Sequence, residues 1–173
     1  MQNHWARAAI EFGLSKGYFE GVGDNKFDPD RGMTRGEFVT VLGRIQKIDK
    51  SKYQNSKFSD VKQGEFYAPY VNWASETGIV NGVGNDKFNP NDVMTREQMA
   101  VIMARYLKVA GVTVQNGGNS EFKDSAKISS WAKDAVEELA KAKIVNGMED
   151  GTFSPKTPFT RAQVAQVLYN IYK

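Results

Sequence analysis

The chain has 173 residues with no cysteine and one histidine. This excludes disulfide frameworks, thiolate zinc sites, iron–sulfur clusters, thiol catalysis and multi-histidine metal sites, so no cofactor is expected. A hydrophobic share of 40% fits a packed core, and a net charge of +3 from 23 basic and 20 acidic residues is a mixed surface, not a nucleic-acid footprint.

No apolar run is long enough to span a membrane, and no basic-then-apolar leader opens the chain. Instead a helical pattern begins at once around His4-Trp5-Ala6, so a natural portion upstream is expected. Gly17 fits the left-handed position that ends this helix, with Tyr18 following. A loop with Gly21, Phe27 and Pro29 comes next and reads as a compact turn pinned by a buried Phe. Met33-Thr34-Arg35-Gly36-Glu37 then opens a second helix, whose apolar face is Phe38, Val41, Leu42 and Ile45. A polar linker covers residues 47–57.

From there the chain repeats itself. Gly78-Ile79-Val80-Asn81-Gly82 restates Gly17 to Gly21 after a shift of 61 residues, and Lys143-Ile144-Val145-Asn146-Gly147 restates it again after a further 65. The helix opening returns with the same shifts as Met94-Thr95-Arg96-Glu97-Gln98 and Phe159-Thr160-Arg161-Ala162-Gln163. Lys143 replaces Gly17 and Gly78, so the helix end of repeat 3 is expected to differ slightly. A segment ahead of the first helix, Phe58-Ser59-Asp60-Val61, pairs with Phe122-Lys123-Asp124-Ser125 at a shift of 64, which implies one inserted residue before Trp131. Repeat 1 has no counterpart of this segment. The expected units are residues 1–50 (truncated at its start), 51–115 and 116–173. One such unit is marginal alone. Repeats 1 and 3 keep the apolar stripe of repeat 2 and lack polar caps, which points to one mainly α, closed, pseudo-threefold domain with the second helices meeting near an axis.

The helix opening has a plain structural reading. Thr34, Thr95 and Thr160 are N-caps, and Glu37, Gln98 and Gln163 complete capping boxes three residues on. Met33, Met94 and Phe159 staple onto Phe38, Met99 and Val164. The arginine is the exception, because a cation in the first turn opposes the macrodipole at a cost of about 0.3–1 kcal/mol. Two readings stand for Arg35, Arg96 and Arg161. One is a salt bridge to Asp60, Asp124 or, in repeat 1, Glu37. The other is an anion site, where free helix N–H groups and a guanidinium take a carboxylate or phosphate. Gly21, Gly82 and Gly147 would then let a ligand approach the backbone. Trp5 and Trp131 share one position, with Phe66-Tyr67 in repeat 2. A Trp at such a helix start more often packs in the core than faces a ligand.

These motifs, in order and three times over, resemble S-layer homology repeats of bacterial cell-surface proteins. The resemblance rests on His4-Trp5-Ala6, Phe58-Ser59-Asp60-Val61, Ile144-Val145-Asn146-Gly147, Asp150-Gly151-Thr152-Phe153-Ser154-Pro155 and the Thr-Arg-x-Glu/Gln motif. It implies a three-pronged spindle on a central three-helix bundle. It also implies an extracellular, monomeric module that anchors a larger protein non-covalently to a secondary cell wall polysaccharide linked to peptidoglycan. The ligand it implies is an N-acetylmannosamine carrying a pyruvate ketal, bound in grooves between repeats. By motif position Arg35, Arg96 and Arg161 would meet the carboxylate, with Glu37, Gln98 and Gln163 beside them. Asp60 and Asp124 would hold the arginines or sugar hydroxyls, Gly21, Gly82 and Gly147 would admit the sugar, and Trp5, Tyr67 and Trp131 would wall the groove. Repeat 1 lacks the Phe-x-Asp segment and carries Glu37 where the others have Gln, so unequal grooves are expected.

Three other functions compete. Acid–base hydrolysis needs two carboxylates across a scissile bond, yet the loop acids Asp24, Asp28 and Asp30 are not kept in all repeats. A calcium loop starting at Asp28 would want Glu at its twelfth position and finds Val39. A protein–protein module for lattice assembly is the remaining alternative.

Overall fold

Each repeat pairs a nine-residue first helix with a longer second one, in a computed structural model that describes residues 3–21, 23–24 and 26–173. Met1, Gln2, Val22 and Asn25 lie outside the described residues. The helices are α1 (Arg7–Ser15), α2 (Arg35–Ile45), α3 (Ala68–Glu76), α4 (Arg96–Ala110), α5 (Lys133–Lys141) and α6 (Arg161–Tyr172). Short 3-10 turns occupy Lys50–Lys52 and Ser125–Lys127. The second falls in the stretch where repeat 3 carries its extra residue.

The second helices start where their caps dictate. Thr34, Thr95 and Thr160 each accept the backbone N–H three residues on, and Glu37, Gln98 and Gln163 each return a bond to the cap's own N–H. The stapling residues Met33, Met94, Phe159, Phe38, Met99 and Val164 are all buried. At the ends of the first helices Gly17 and Gly78 take left-handed φ values of 73° and 80°. Lys143 does the same, with φ 58°. The helix end of repeat 3 therefore matches the others, contrary to expectation: Tyr18, Ile79 and Ile144 all donate to the carbonyl five residues back. The three matching backbone closures and buried Ile144 outweigh the strain of a side chain in that conformation.

Packing runs between repeats and closes on itself. The first helix of each repeat lies on the second helix of another: α3 on α2, α5 on α4, and α1 on α6. The last pair joins the two ends of the chain. At the N-terminal ends of α2, α4 and α6 a cyclic set of backbone bonds does the same. Met94 N–H donates to Met33 (2.9 Å), Phe159 to Met94 (2.8 Å) and Met33 to Phe159 (2.8 Å). Antiparallel bridges Thr34–Val93, Thr95–Pro158 and Thr160–Gly32 flank this ring. Toward the other ends of the same helices, Gln46 donates to the Tyr106 hydroxyl (2.9 Å), which meets the Tyr172 hydroxyl at 2.6 Å. Burial pushes both phenols above their usual range. The buried apolar residues of all three repeats form one core.

Repeat 1 uses a different aromatic pair. Elsewhere Phe58 packs on Phe88 and Phe122 on Phe153; here Phe19 packs edge-on against Phe27, ring centroids 5.4 Å apart. Phe19 stands where the other repeats have Val80 and Val145. Its ring fits because Gly13 carries no side chain: a Cβ there would lie 2.6 Å from the ring.

Candidate functional site

Three equivalent grooves follow from this cyclic packing. The floor of each is one face of a second helix, read at i, i+3, i+4 and i+7. The first groove uses Glu37, Thr40, Val41 and Arg44, with the loop Phe19-Glu20-Gly21, Arg161 from repeat 3 and Phe66 from repeat 2. The second uses Gln98, Val101, Ile102 and Arg105, with the loop from Val80 to Val83, Arg35 from repeat 1 and Trp131 from repeat 3. The third uses Gln163, Gln166, Val167 and Asn170, with the loop from Ile144 to Met148, Arg96 from repeat 2 and Trp5 from repeat 1. Each groove thus draws on all three repeats. Their volumes are about 210, 530 and 180 Å³ respectively.

The helix N-termini cannot serve as free anion holes. The first N–H of each second helix donates to a loop carbonyl of another repeat: Arg35 to Asp92, Arg96 to Thr157 and Arg161 to Arg31, all at 2.9 Å. The second does likewise, Gly36 to Pro90, Glu97 to Pro155 and Ala162 to Pro29. The third is held by the Thr cap. This corrects the expectation that these N–H groups await a ligand.

The arginine side chains continue the same docking. Arg35, Arg96 and Arg161 are only 7%, 4% and 4% exposed. Each stacks on the loop Phe of the repeat it enters, at 4.6 Å for Phe88, 4.9 Å for Phe153 and 4.6 Å for Phe27. Each Nε donates to the carbonyl of that same Phe, at 2.9, 2.7 and 2.9 Å. Each Nη2 reaches the residue before the loop glycine: Asn81 (3.5 Å), Asn146 (3.1 Å) and Glu20 (2.9 Å). Burial pushes all three guanidinium pKa values down, Arg96 to about 10, and all stay charged at neutral pH. Nη1 of Arg35 and of Arg96 has no hydrogen-bond partner among the described residues. Nη1 of Arg161 is taken by Glu37 at 3.1 Å.

Asp60 and Asp124 form no ion pair with the arginines, and act on Arg35 and Arg96 only through their charge at longer range. The Asp60 carboxylate accepts the N–H groups of Phe88 (2.9 Å) and Asn89 (2.8 Å), and Asp124 those of Phe153 (2.8 Å) and Ser154 (2.9 Å). They brace the loop at the Phe whose carbonyl faces the arginine. Burial works to raise the Asp60 carboxyl, but its backbone donors more than offset that and hold it low. Among the described residues Arg35 and Arg96 form no salt bridge, and of the three arginines only Arg161 of repeat 3 pairs with a carboxylate, Glu37 of repeat 1. Glu37 binds Arg31 through both oxygens (3.0 and 2.7 Å) as well as Arg161. Burial raises the Glu37 carboxyl, and the Arg31 and Thr34 bonds bring it below its ordinary value.

The glycines line the grooves, but protein already fills the space above them. A Cβ at Gly82 would lie 2.7 Å from Phe58 and from the Lys87 carbonyl, and one at Gly147 2.8 Å from Phe122. A Cβ at Gly21 would lie 2.9 Å from the Lys26 carbonyl. Their smallness serves loop closure rather than the approach of a ligand to the backbone.

The aromatic wall differs from expectation in repeat 2. Tyr67 is 5% exposed and caps α3 from inside the core, whereas Phe66 is 58% exposed. Phe66 matches Trp5 (63%) and Trp131 (58%), which also stand outside the core. The register already contained this: residue 66 lies 61 after Trp5 and 65 before Trp131. Trp131 is additionally clamped. Buried Glu97 accepts the Ser129 N–H and hydroxyl (2.9 and 2.8 Å) and pairs with Lys156, whose ammonium lies 6.0 Å from the Trp131 ring. Sequence reasoning missed the floor residues Arg44, Arg105 and Asn170, although their seven-residue spacing from Glu37, Gln98 and Gln163 places them on one helix face.

Among the described residues no cluster of three or more acidic, His or Cys side chains could hold a metal, and no helix is long and apolar enough to cross a membrane.

Comparison with known proteins agrees with this geometry. The S-layer homology domain pattern matches residues 1–39, 57–100 and 121–165. The chain is similar to an exoglucanase XynX of Acetivibrio thermocellus, 36% identical over 99% of this chain and 16% of the relative. It is similar to an amylopullulanase of Thermoanaerobacterium thermosulfurigenes, 36% identical over 99% of this chain and 9% of the relative. An S-layer protein sap of Bacillus anthracis is 28% identical over 96% of this chain and 20% of the relative. The chain thus spans only a small part of the relatives it matches, and the part it shares with enzymes and surface-layer proteins alike is the three-repeat unit described above. With all three segments matched in register, the chain belongs to the S-layer homology domain family.

Proposed function

We propose that this chain is a non-catalytic module that anchors a parent protein to the bacterial cell wall by binding an acidic saccharide in its inter-repeat grooves. The ligand is a secondary wall polysaccharide ending in a pyruvylated N-acetylmannosamine. The free edges of Arg35 and Arg96 meet the carboxylate, and Gln98 and Gln163 offer amides beside them. Trp131 and Trp5 stack on the sugar. Phe66 replaces Tyr67 as the wall of the first groove, and Asp60 and Asp124 act indirectly by bracing the loops. The observation that carries this reading is the threefold recurrence of a buried guanidinium edge opposite an exposed aromatic ring. The sharing of this module by an S-layer protein and by enzymes with different names also supports a common anchoring role at the cell surface.

The test is direct. Binding of the methyl glycoside of pyruvylated N-acetylmannosamine by titration calorimetry should be saturable, and wall sacculi should lose the protein once their secondary polymer is removed. Retention on stripped sacculi, with no heat from the sugar, would favour the lattice-assembly module instead.

A further inference from the structure

Besides Glu37, which is Gln98 and Gln163 in the other repeats, the charge of the three grooves differs at floor positions 44, 105 and 170 and at loop positions 20, 81 and 146. In the first groove Arg44 is matched by the Glu20 carboxylate at 3.2 Å, and Arg161 is matched by Glu37. Both guanidinium groups are neutralised within the protein. In the third groove the position carries no charge: Asn170 donates to the Ile144 carbonyl (3.1 Å) and accepts from Gln166 (2.9 Å). In the second groove Asn81 stands where Glu20 does, Gln98 where Glu37 does, and Arg105 has no hydrogen bond or ion pair among the described residues. Among the described residues, guanidinium groups without an ion pair number none, two and one across the three grooves. The second groove is also the largest.

We propose that Arg105 is a second anion-binding residue, so that the second groove takes a saccharide with acidic groups on two neighbouring units. This rests on the reading of the grooves as sites for an acidic saccharide. Gln98 and Arg105 are two helical turns apart, about 10 Å along α4. The span is too long for one carboxylate to bridge. The terminal carboxylated sugar sits between Arg35, Gln98 and Trp131. The apolar side chains of Val101 and Ile102 floor the next unit, and Arg105 receives its acidic group. The other two grooves read only a single acidic unit, the first weakly.

The experiment uses the full chain and two probes: the pyruvylated N-acetylmannosamine methyl glycoside, and the same sugar linked to a glucuronic acid. The indole N–H resonances of Trp131 and Trp5 report the second and third grooves separately. The dicarboxylated probe should bind the second groove about tenfold more tightly than the monocarboxylated one, the scale of one added charge-assisted contact. Arg105→Ala should remove that gain and leave the single-sugar affinity unchanged, with Arg105→Lys retaining part of it. Asn170→Arg should confer the gain on the third groove. A gain that persists in Arg105→Ala, or no gain at all while the single sugar binds, overturns the proposal and leaves the anchoring reading intact. Absence of binding by either probe overturns both.

Discussion

Arg96→Ala should weaken the fold before it says anything about ligand. The substitution removes two charge-assisted hydrogen bonds, to Phe153 at 2.7 Å and Asn146 at 3.1 Å. Bonds of this kind contribute about 1.5–3 kcal/mol each. It also removes a stack on Phe153, 4.9 Å from the guanidinium, of about 0.5–2 kcal/mol. Against this, the protein no longer buries a cation whose pKa burial has pushed down to about 10. The net loss is about 3 kcal/mol. For a domain of this size each kcal/mol lowers Tm by about 2–4 °C, so a fall of about 6–12 °C is expected. Thermal unfolding followed by circular dichroism measures it. Parallel variants should rank as Arg161→Ala, Arg96→Ala, Arg35→Ala in decreasing severity. Arg161 also holds Glu37, and the Nη2 bond of Arg35 is the longest of the three at 3.5 Å. A Tm within about 2 °C of the parent chain for Arg96→Ala would refute the docking role and return the arginine to the ligand alone. Any loss of sugar binding in these variants is therefore read against their melting curves.

Further outcomes follow from the same contacts. Asp124→Asn should cost about 2–3 kcal/mol in urea unfolding, because an amide cannot accept both loop N–H groups with a charged oxygen. Acid should destabilise the chain through Glu37 and Glu97: both carboxyls sit below their unfolded values, so their contribution is complete above the ordinary carboxylate range and is lost as pH falls through the folded values. Glu37→Gln should flatten stability between about pH 5 and pH 3 relative to the parent chain, and an unchanged slope there would discount the Arg31–Glu37–Arg161 cluster. Gly13→Ala and Phe19→Val should each destabilise, yet the pair should cost less than their sum by about 1–3 kcal/mol, since the clash at 2.6 Å disappears with the ring; additive costs in a double-mutant cycle would contradict that packing.

Much of the architecture was legible because it is written in local code. The capping boxes at Thr34, Thr95 and Thr160 need only four consecutive residues to operate, and each is present. The closing contact of α1 on α6 follows from apolar stripes that left no repeat with a polar outer face. The arginines were only half legible. Their residue type announced an anion or a carboxylate partner, but their partners are main-chain carbonyls, which leave no trace in composition. Asp60 and Asp124 misled for the converse reason, since their partners are N–H groups about 28 residues away. Tyr67 misled by chemical resemblance to Trp, where register alone would have chosen Phe66. Arg105 was overlooked because nothing in a single repeat marks a floor position as charged or compensated. The distinction appears only when Glu20, Asn81 and Asn146 are set across from it.

The hydrogen-bond circuit through Met33, Met94 and Phe159 fixes the copy number of the module. Every repeat gives its loop carbonyls to one neighbour and its helix start to the other, so the count at which all donors and acceptors are spent is set by the angle of that circuit, and here it is three. A gene that loses one repeat does not keep two thirds of an anchor. It leaves two guanidinium-bearing helix starts, only one of them docked on a loop, and every groove lacks its wall, its floor or its cation. Duplication and deletion of such units during evolution should therefore proceed in whole triplets, with partial sets kept only where another chain completes the circuit.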